Sequence, residues 1–324
     1  MKKIIALFIV GVTFASCYKD YIKDFDYNSI YVPLQMDVRT FVVGEGMKFD
    51  IGVELGGVRD NDRDRIVTFQ IDNSLITPAM LDKIKGGPAY MAAASASVTT
   101  LLPLPASYYT LSSASQFIIK KGDHNGKITI KPDSVKFLAD LATLNPTYAL
   151  GIRVVSADAD SLLYNKKTEV IGVKFENMLF GNYWHGGVTT IKDAADAVVV
   201  NTVKYYTQIP VSDVKTWALK SVNPYAVSTN GYSDVSSSAV GEFVLTLNGG
   251  NVTVSSSATG KNVVQADGTS TYNQAKLLQN RRIYLNYKYK AADGNWYHAQ
   301  DTLTFRNRIR DGVNEWQDEN PTNY

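Results

Sequence analysis

Residues 281–306 read RRIYLNYKYKAADGNWYHAQDTLTFR, and this stretch decides the fold class. From Arg281 to Lys290 the side chains of Ile283, Leu285, Tyr287 and Tyr289 occupy every second position, the period of a half-buried strand. Asp293-Gly294 supplies a turn, and Asn295 to Arg306 forms the returning arm of an antiparallel hairpin. A slip of one residue would exchange the faces of that second arm, so the partners of Tyr289 stay open at this level.

The same texture continues toward the N-terminus. Glu242 to Leu247 and Asn251 to Ser255 turn on Asn248-Gly249-Gly250, and Trp217 to Val222 and Val198 to Ile209 read as further strands. Tyr148 to Ser156 and Thr168 to Phe175 alternate as well, as do Phe49, Ile51, Val53, Leu55 and then Val67, Phe69, Ile71. Phe117 to Lys121 and Lys127 to Lys131 flank the turn residues Gly122 to Gly126, which predicts another hairpin. Two short helices are expected, one starting at Thr77 with Pro78 in its first turn, the other from Ser134 to Leu144 before Asn145-Pro146. Gly86 to Ser115, rich in Ala, Ser and Thr, reads as a long surface insertion. With a boundary at Glu176 to Gly181, the expectation is all-β: a β-sandwich with short helices over residues 29–176, then an antiparallel barrel or sandwich over 181–324.

The N-terminus carries an address. Lys2 and Lys3 precede an apolar run from Ile4 to Phe14, and Ala15-Ser16-Cys17 follows. The run is shorter than the roughly 20 residues that span a bilayer, so residues 1–16 read as a signal peptide. Cys17, the only cysteine, stands where a bacterial lipoprotein receives its lipid, although Phe14 holds the place usually given to Leu. Secretion after cleavage near Ser16 is the alternative. Residues 17–28 read as a tether, and Lys19-Asp20 resembles the short charged signals that send some lipoproteins to the outer face.

Composition narrows the classes. Hydrophobic residues make up 45% of 324, ample for two cores. Loss of Lys2 and Lys3 with the signal brings the 33 basic residues level with the 31 acidic ones, and no concentrated basic field favours nucleic acid. With no cysteine after Cys17, stability rests on burial without disulfides. Twenty tyrosines against three histidines favour a surface that binds through flat amphipathic rings.

Particular motifs carry a family resemblance. Through Tyr31-Val32-Pro33, Val42-Val43-Gly44-Glu45-Gly46, Ile51 to Gly57 and Lys120-Lys121-Gly122, the first domain resembles an immunoglobulin-like family of unknown function. That family is found in surface lipoproteins of Bacteroidetes-type polysaccharide-utilisation systems and ahead of some family 18 endoglycosidases. Through Gly181-Asn182-Tyr183-Trp184, Arg282-Ile283-Tyr284 and Asp301 to Asp318 around Trp316, the second domain resembles a lipocalin-like companion family. The resemblance implies an outer-membrane, lipid-anchored, surface-exposed, non-catalytic protein that binds extracellular oligo- or polysaccharide or serves its utilisation as an accessory, beside importer or hydrolase partners. It passes on no ligand residues. A structural or protein-interaction subunit of an outer-membrane complex is the alternative, and a glycosidase the third reading.

Catalytic signatures are missing from the sequence. Family 18 hydrolysis needs a tight acidic series ending in a general acid, whereas Asp158-Ala159-Asp160 runs into Ser161, Leu162 and Leu163. Asp60, Asp62 and Asp64 alternate like calcium ligands, but Arg65 stands where that loop requires glycine and Ile71 where it requires glutamate. His124, His185 and His298 lack the spacing of a zinc site, and Asn251-Val252-Thr253 is read as a chance glycosylation match. No catalytic residue, cofactor or metal is therefore assigned. Sugar recognition needs a flat ring for the C–H face of a pyranose and polar groups for its hydroxyls. The candidates are Trp296 and His298 with Tyr287 and Tyr289 on the preceding arm and Asn295, Gln300 and Asp301 nearby, and a second group of Trp217, Tyr225 and Tyr232 in a stretch containing Asn223, Asn230 and Asp234. Trp184 is expected to plug one end of the second domain.

Overall fold

A computed structural model describes residues 27–205, 215–236 and 241–318; Cys17, the signal segment and most of the tether fall outside them. The first unit contains β1 (Ser29–Tyr31), β2 (Met36–Val42), β3 (Phe49–Gly56), β4 (Arg65–Ile71), β5 (Leu102–Pro103) and β6 (Tyr109–Leu111). It continues through β7 (Gln116–Ile119), β8 (Asn125–Pro132), β9 (Tyr148–Ala157), β10 (Ser161–Leu162) and β11 (Thr168–Glu176). One sheet has the order β10-β1-β3-β8-β6 and the other β2-β11-β9-β4-β7, with β5 added beside β9. Alternation in β3 and β4 buries Ile51, Val53, Val67 and Phe69, which join Phe41, Phe117, Phe137 and Phe175 between the sheets.

Three sequence expectations for this unit need correction. The arms on either side of Gly122 are β7 and β8, and they do not pair: β7 joins β4 in one sheet while β8 joins β3 and β6 in the other. Both arms alternate because both line the same core, from opposite sides, so the turn is an arch between sheets. The stretch 86–115 is more than a surface insertion. Met91, Val98 and Leu101 pack with Leu81 and Ile84 against Val38, Ala149 and Val170, which adds a helical layer, α1 (Pro78–Lys85) and α2 (Ala89–Ser95), outside the second sheet. Thr77 caps α1 as expected, its Oγ1 accepting the Met80 N–H at 3.2 Å. The helix predicted over 134–144 is broken: α3 (Ser134–Ala139) stops at Asp140, whose carboxylate accepts the Ala142 N–H and starts a 3₁₀ turn.

The second unit contains β12 (Gly181–Lys192), β13 (Val199–Tyr205), β14 (Lys215–Asn223), β15 (Ala226–Thr229), β16 (Gly231–Tyr232) and β17 (Val235–Ser236). Then come β18 (Phe243–Asn248), β19 (Asn251–Ser256), β20 (Val264–Ala266), β21 (Ser270–Tyr272), β22 (Arg282–Lys290), β23 (Trp296–Arg310) and β24 (Val313–Glu315). β12-β14-β15-β18-β19-β21-β22-β23 form an antiparallel ring that closes when β23 pairs back onto β12. Of the two forms expected, this is the barrel, and eight strands leave an interior that side chains fill. The β22–β23 register sets Tyr289 opposite Tyr297 and Lys290 opposite Trp296.

Trp184 does not plug the barrel. Odd-numbered residues of β12 point inward, so Tyr183 is buried while Trp184 lies on the outer wall with the Arg306 guanidinium 4.7 Å from its ring. Leu179 of the short connection enters the barrel core instead, together with Leu278.

The units are clasped by charge. Glu45, from the turn after β2, is buried between Arg281 and Arg308 of the barrel, with contacts of 2.6 Å to each. Burial would raise the Glu45 carboxyl, but Arg308 and Arg281 hold it below the usual carboxylate range. Glu45 also precedes β3, whose far end at Gly56 pairs with Ser29 beside Tyr27. The described chain thus begins at the pole of the sandwich remote from the barrel, about 25 Å of strand away from the clasp.

Candidate functional site

The alternation of β22 and β23 sorts the sequence candidates onto two faces. Trp217, Tyr287 and Tyr289 are at most 2% exposed and line the barrel core. The expectation that they form a glycan platform is corrected: the closed wall bars a sugar from their faces. Tyr232 is half-buried and meets Tyr289 edge-on at 5.1 Å. Tyr225, 64% exposed, sits on the β14–β15 turn next to Pro224, whose carbonyl accepts from Asn177 of the interdomain connection. Trp296 and His298 lie near the opposite end of the barrel, so the second group is scattered and Trp296 and His298 alone remain together.

Asp301, expected among the polar groups beside Trp296, is instead buried inside the barrel at the centre of a polar network. Asp301 accepts hydrogen bonds from the Tyr287 hydroxyl at 2.5 Å and from the Tyr205 hydroxyl. Tyr205 also shares a 2.8 Å hydrogen bond with Thr189, and the Ser233 N–H donates to Tyr287 at 2.6 Å. Burial, reinforced by the Asp301 charge, raises the ionisation of both phenols above the ordinary range and keeps them as donors. His185 stacks on Trp217 with ring centroids 3.9 Å apart, and its Nε2 is 3.3 Å from Asp301, close but misaligned for a hydrogen bond. Among the described residues the side chains of His185 and Asp301 are wholly buried.

Outside, β22 presents Tyr284, Asn286, Lys288 and Lys290, and β23 presents Trp296, His298, Gln300 and Thr302 beside them. Lys288 and Lys290 place their ammonium groups 5.0 and 5.8 Å from the Trp296 ring centroid, which steadies the indole at the wall. His298 is clamped at both nitrogens, by Asp196 at 2.5 Å and Asp267 at 2.6 Å. Asp196 adopts a left-handed backbone, φ 60°, and also receives Lys288 at 2.8 Å. That hydrogen bond and His298 hold the Asp196 carboxyl below its ordinary value. With both nitrogens engaged, His298 pins two loops to the barrel.

Next to this cluster the outer wall has a depression of about 380 Å³, lined by Tyr284, Asn286, Gln300, Thr302, Lys204 and Val188 among others. Gly187 is required there, since a Cβ would stand 2.2 Å from the Gln300 carbonyl. Tyr284, 45% exposed, was the available sequence signal, because it alternates with the buried Ile283 and Leu285. The row from Trp296 to Thr302 covers about 20 Å of strand, with aromatic rings at both ends and amides, a hydroxyl and an ammonium between them.

Comparisons with known proteins bear on the fold. A family model described as "-like, N-terminal domain" matches residues 21–161. No curated protein matches the chain. A crystal structure of a Bacteroides ovatus protein of unknown function has a TM-score of 0.66 at 21% identity, covering 91% of this chain and 99% of that one. A second B. ovatus protein of unknown function gives 0.44, and a multidomain protein including DUF1735 from the same organism gives 0.43. Each is 13% identical and covers 90% of this chain and 100% of its own. The likeness at 0.66 extends the shared fold across nearly the whole chain.

Proposed function

We propose that this chain is a non-catalytic cell-surface lipoprotein, anchored in the outer membrane through Cys17, whose barrel binds an extracellular oligo- or polysaccharide for importer or hydrolase partners. The observation that carries the reading is the outward row on β22 and β23. Trp296 and Tyr284 offer faces for pyranose C–H groups, and Asn286, Gln300 and Thr302 offer donors and acceptors for hydroxyls. The polarity of the molecule supports it: a tether entering beside Tyr27 would hold the Trp296 end of the barrel away from the membrane.

A glycan array probed with the soluble chain from Tyr18 onward tests this. Binding to one glycan class, weakened about ten-fold or more by Trp296→Ala, is the expected result. Silence across host and plant glycans would remove the reading. The anchor is tested separately, by loss of membrane retention in Cys17→Ala.

A second reading, a subunit that binds a partner protein, is favoured by β13. Among the described residues β13 pairs with β12 alone, and Val199 and Val200 stand exposed on it, with the exposed Val198 just before. Such an edge can accept an added strand. Val200→Lys would then abolish co-purification of the partner and leave glycan binding unchanged.

A further inference from the structure

The outer wall of the barrel carries charge of one sign. Strands β13, β12, β23 and β22 are neighbours in that order, and their outward positions hold Lys204, Lys192, Arg306, Arg282, Lys288 and Lys290. Asp301, the only acidic residue in these four strands, points inward and is buried. The cations come from strands far apart in the chain, so no basic run shows in the sequence. Loop carboxylates reach this face at His298, where they are engaged. Asp196 meets Lys192 at 3.4 Å, Lys288 at 2.8 Å and His298, and Asp267 meets His298. Arg306 lies on the Trp184 ring, and Arg282 donates to the carbonyls of Gln279 and Arg281. Lys204 and Lys290 are both exposed, and among the described residues neither has an ion pair.

The strand register sets these two lysines at the two features of the outer row. Lys290 and Lys192 stand on either side of Trp296. Lys204, Val188, Gln300 and Asn286 lie side by side across the four strands, which brings Lys204 to the lining of the wall depression. The other outward polar side chains there, Tyr284, Asn286, Gln300 and Thr302, are uncharged. Lys204 therefore supplies the charge of the depression, as Lys290 supplies a free charge beside the indole. The two positions are roughly 20 Å apart, three strand spacings across and four residues along.

We infer that the outer row takes an acidic polysaccharide, a chain with a carboxylate or sulfate recurring along it, whose anionic groups meet Lys290 and Lys204 while its rings lie on Trp296 and Tyr284. The inference rests on the glycan-binding reading above and names the class of glycan. A neutral sugar would leave both ammonium groups to water, whereas an anionic one gains a charge-assisted hydrogen bond at each. With no outward carboxylate on the four strands, such a chain meets little repulsion along its path. Each exposed contact is weak and is screened by salt, so the effect depends on making both at once. Two cations this far apart are met together only by a chain whose charge repeats, and a single acidic sugar gains little.

The test is a glycan microarray carrying neutral, uronate-bearing and sulfated oligosaccharides, among them oligogalacturonate with its methyl ester and a sulfated galactan with its desulfated form. It is probed over a dilution series with the soluble chain from Tyr18 onward as wild type, as Trp296→Ala and as the double variant Lys204→Gln, Lys290→Gln. Hits confined to acidic glycans, lost on esterification or desulfation and weakened about ten-fold in the lysine double variant, are the expected result. The matched pairs tell a carboxylate from a sulfate. Added salt should weaken wild type more than the double variant. Both lysines are exposed and glutamine keeps most of the stem, so thermal melts should be unchanged. Binding of neutral glycans that is lost in Trp296→Ala overturns the acidic class and leaves the glycan-binding reading standing. Acidic hits that either variant leaves unchanged overturn the inference as well. Silence of wild type across the whole array overturns both readings.

Discussion

Along β22 and β23 the inward and outward faces are built from similar parts and have opposite properties. Inside, Asp301 gathers the hydroxyls of Tyr205 and Tyr287, with the His185 ring alongside, among buried side chains. Outside, Asp196 and Asp267 gather His298, with Lys288 alongside, at a wall that water reaches. Dielectric environment sets what each cluster is worth. A buried network is costly to leave half-made, whereas a solvated one exchanges its partners for water at little cost. Carboxylates, imidazoles and rings therefore mark a binding surface only where the strand turns them outward.

The largest test of that contrast is Asp301→Ala. It leaves the Tyr205 and Tyr287 hydroxyls buried without their shared acceptor, and we expect a loss of about 3–5 kcal/mol in urea unfolding. Trp217→Ala, which empties the stack with His185, belongs in the same range. A loss below about 1 kcal/mol in Asp301→Ala would mean that water already reaches the interior, and the contrast would break.

A smaller effect is expected at a third buried carboxyl, Glu169 of β11. Burial and the neighbouring Asp37 charge push it up to about 8, against a slight lowering by Arg39. In the unfolded chain it ionises near 4.5, so between there and about 8 the folded state keeps a proton that the unfolded state has released. Stability therefore falls as pH rises through that window and is flat above it. Glu169→Gln should remove the slope, being close to neutral at pH ~4.5 and stabilising by about 2–4 kcal/mol at pH ~8.5. Paired denaturation curves at the two pH values check it.

The contrast also explains what could be read from the sequence. Alternation in 281–290 put Tyr287 and Tyr289 on the face of Ile283 and Leu285, and that company already marks them as core; Lys288 and Lys290 between them mark the outer wall. The network around Asp301 was not legible, because Tyr205 and His185 lie about a hundred residues away and only barrel closure brings them together. The arch at Gly122 misled for a related reason: two arms facing one core alternate alike whether they pair or oppose each other across it. Gly44-Glu45-Gly46 carried a resemblance whose physical basis is now visible, since Glu45 is the buried anion between Arg281 and Arg308.

On the outer face the expected stability changes are small, and function separates from stability there. His298→Ala removes both loop clamps but leaves Asp196 with Lys288, so Tm should fall by no more than about 3 °C. Trp296→Ala should cost least, because its ring is half-exposed and its cation–π partners return to water. Yet this is the variant expected to weaken glycan binding about ten-fold or more. A near-unchanged melt with lost binding would assign the ring to recognition. A fall in Tm as large as that of Trp217→Ala would assign it to packing, and the outer row would then lose its platform.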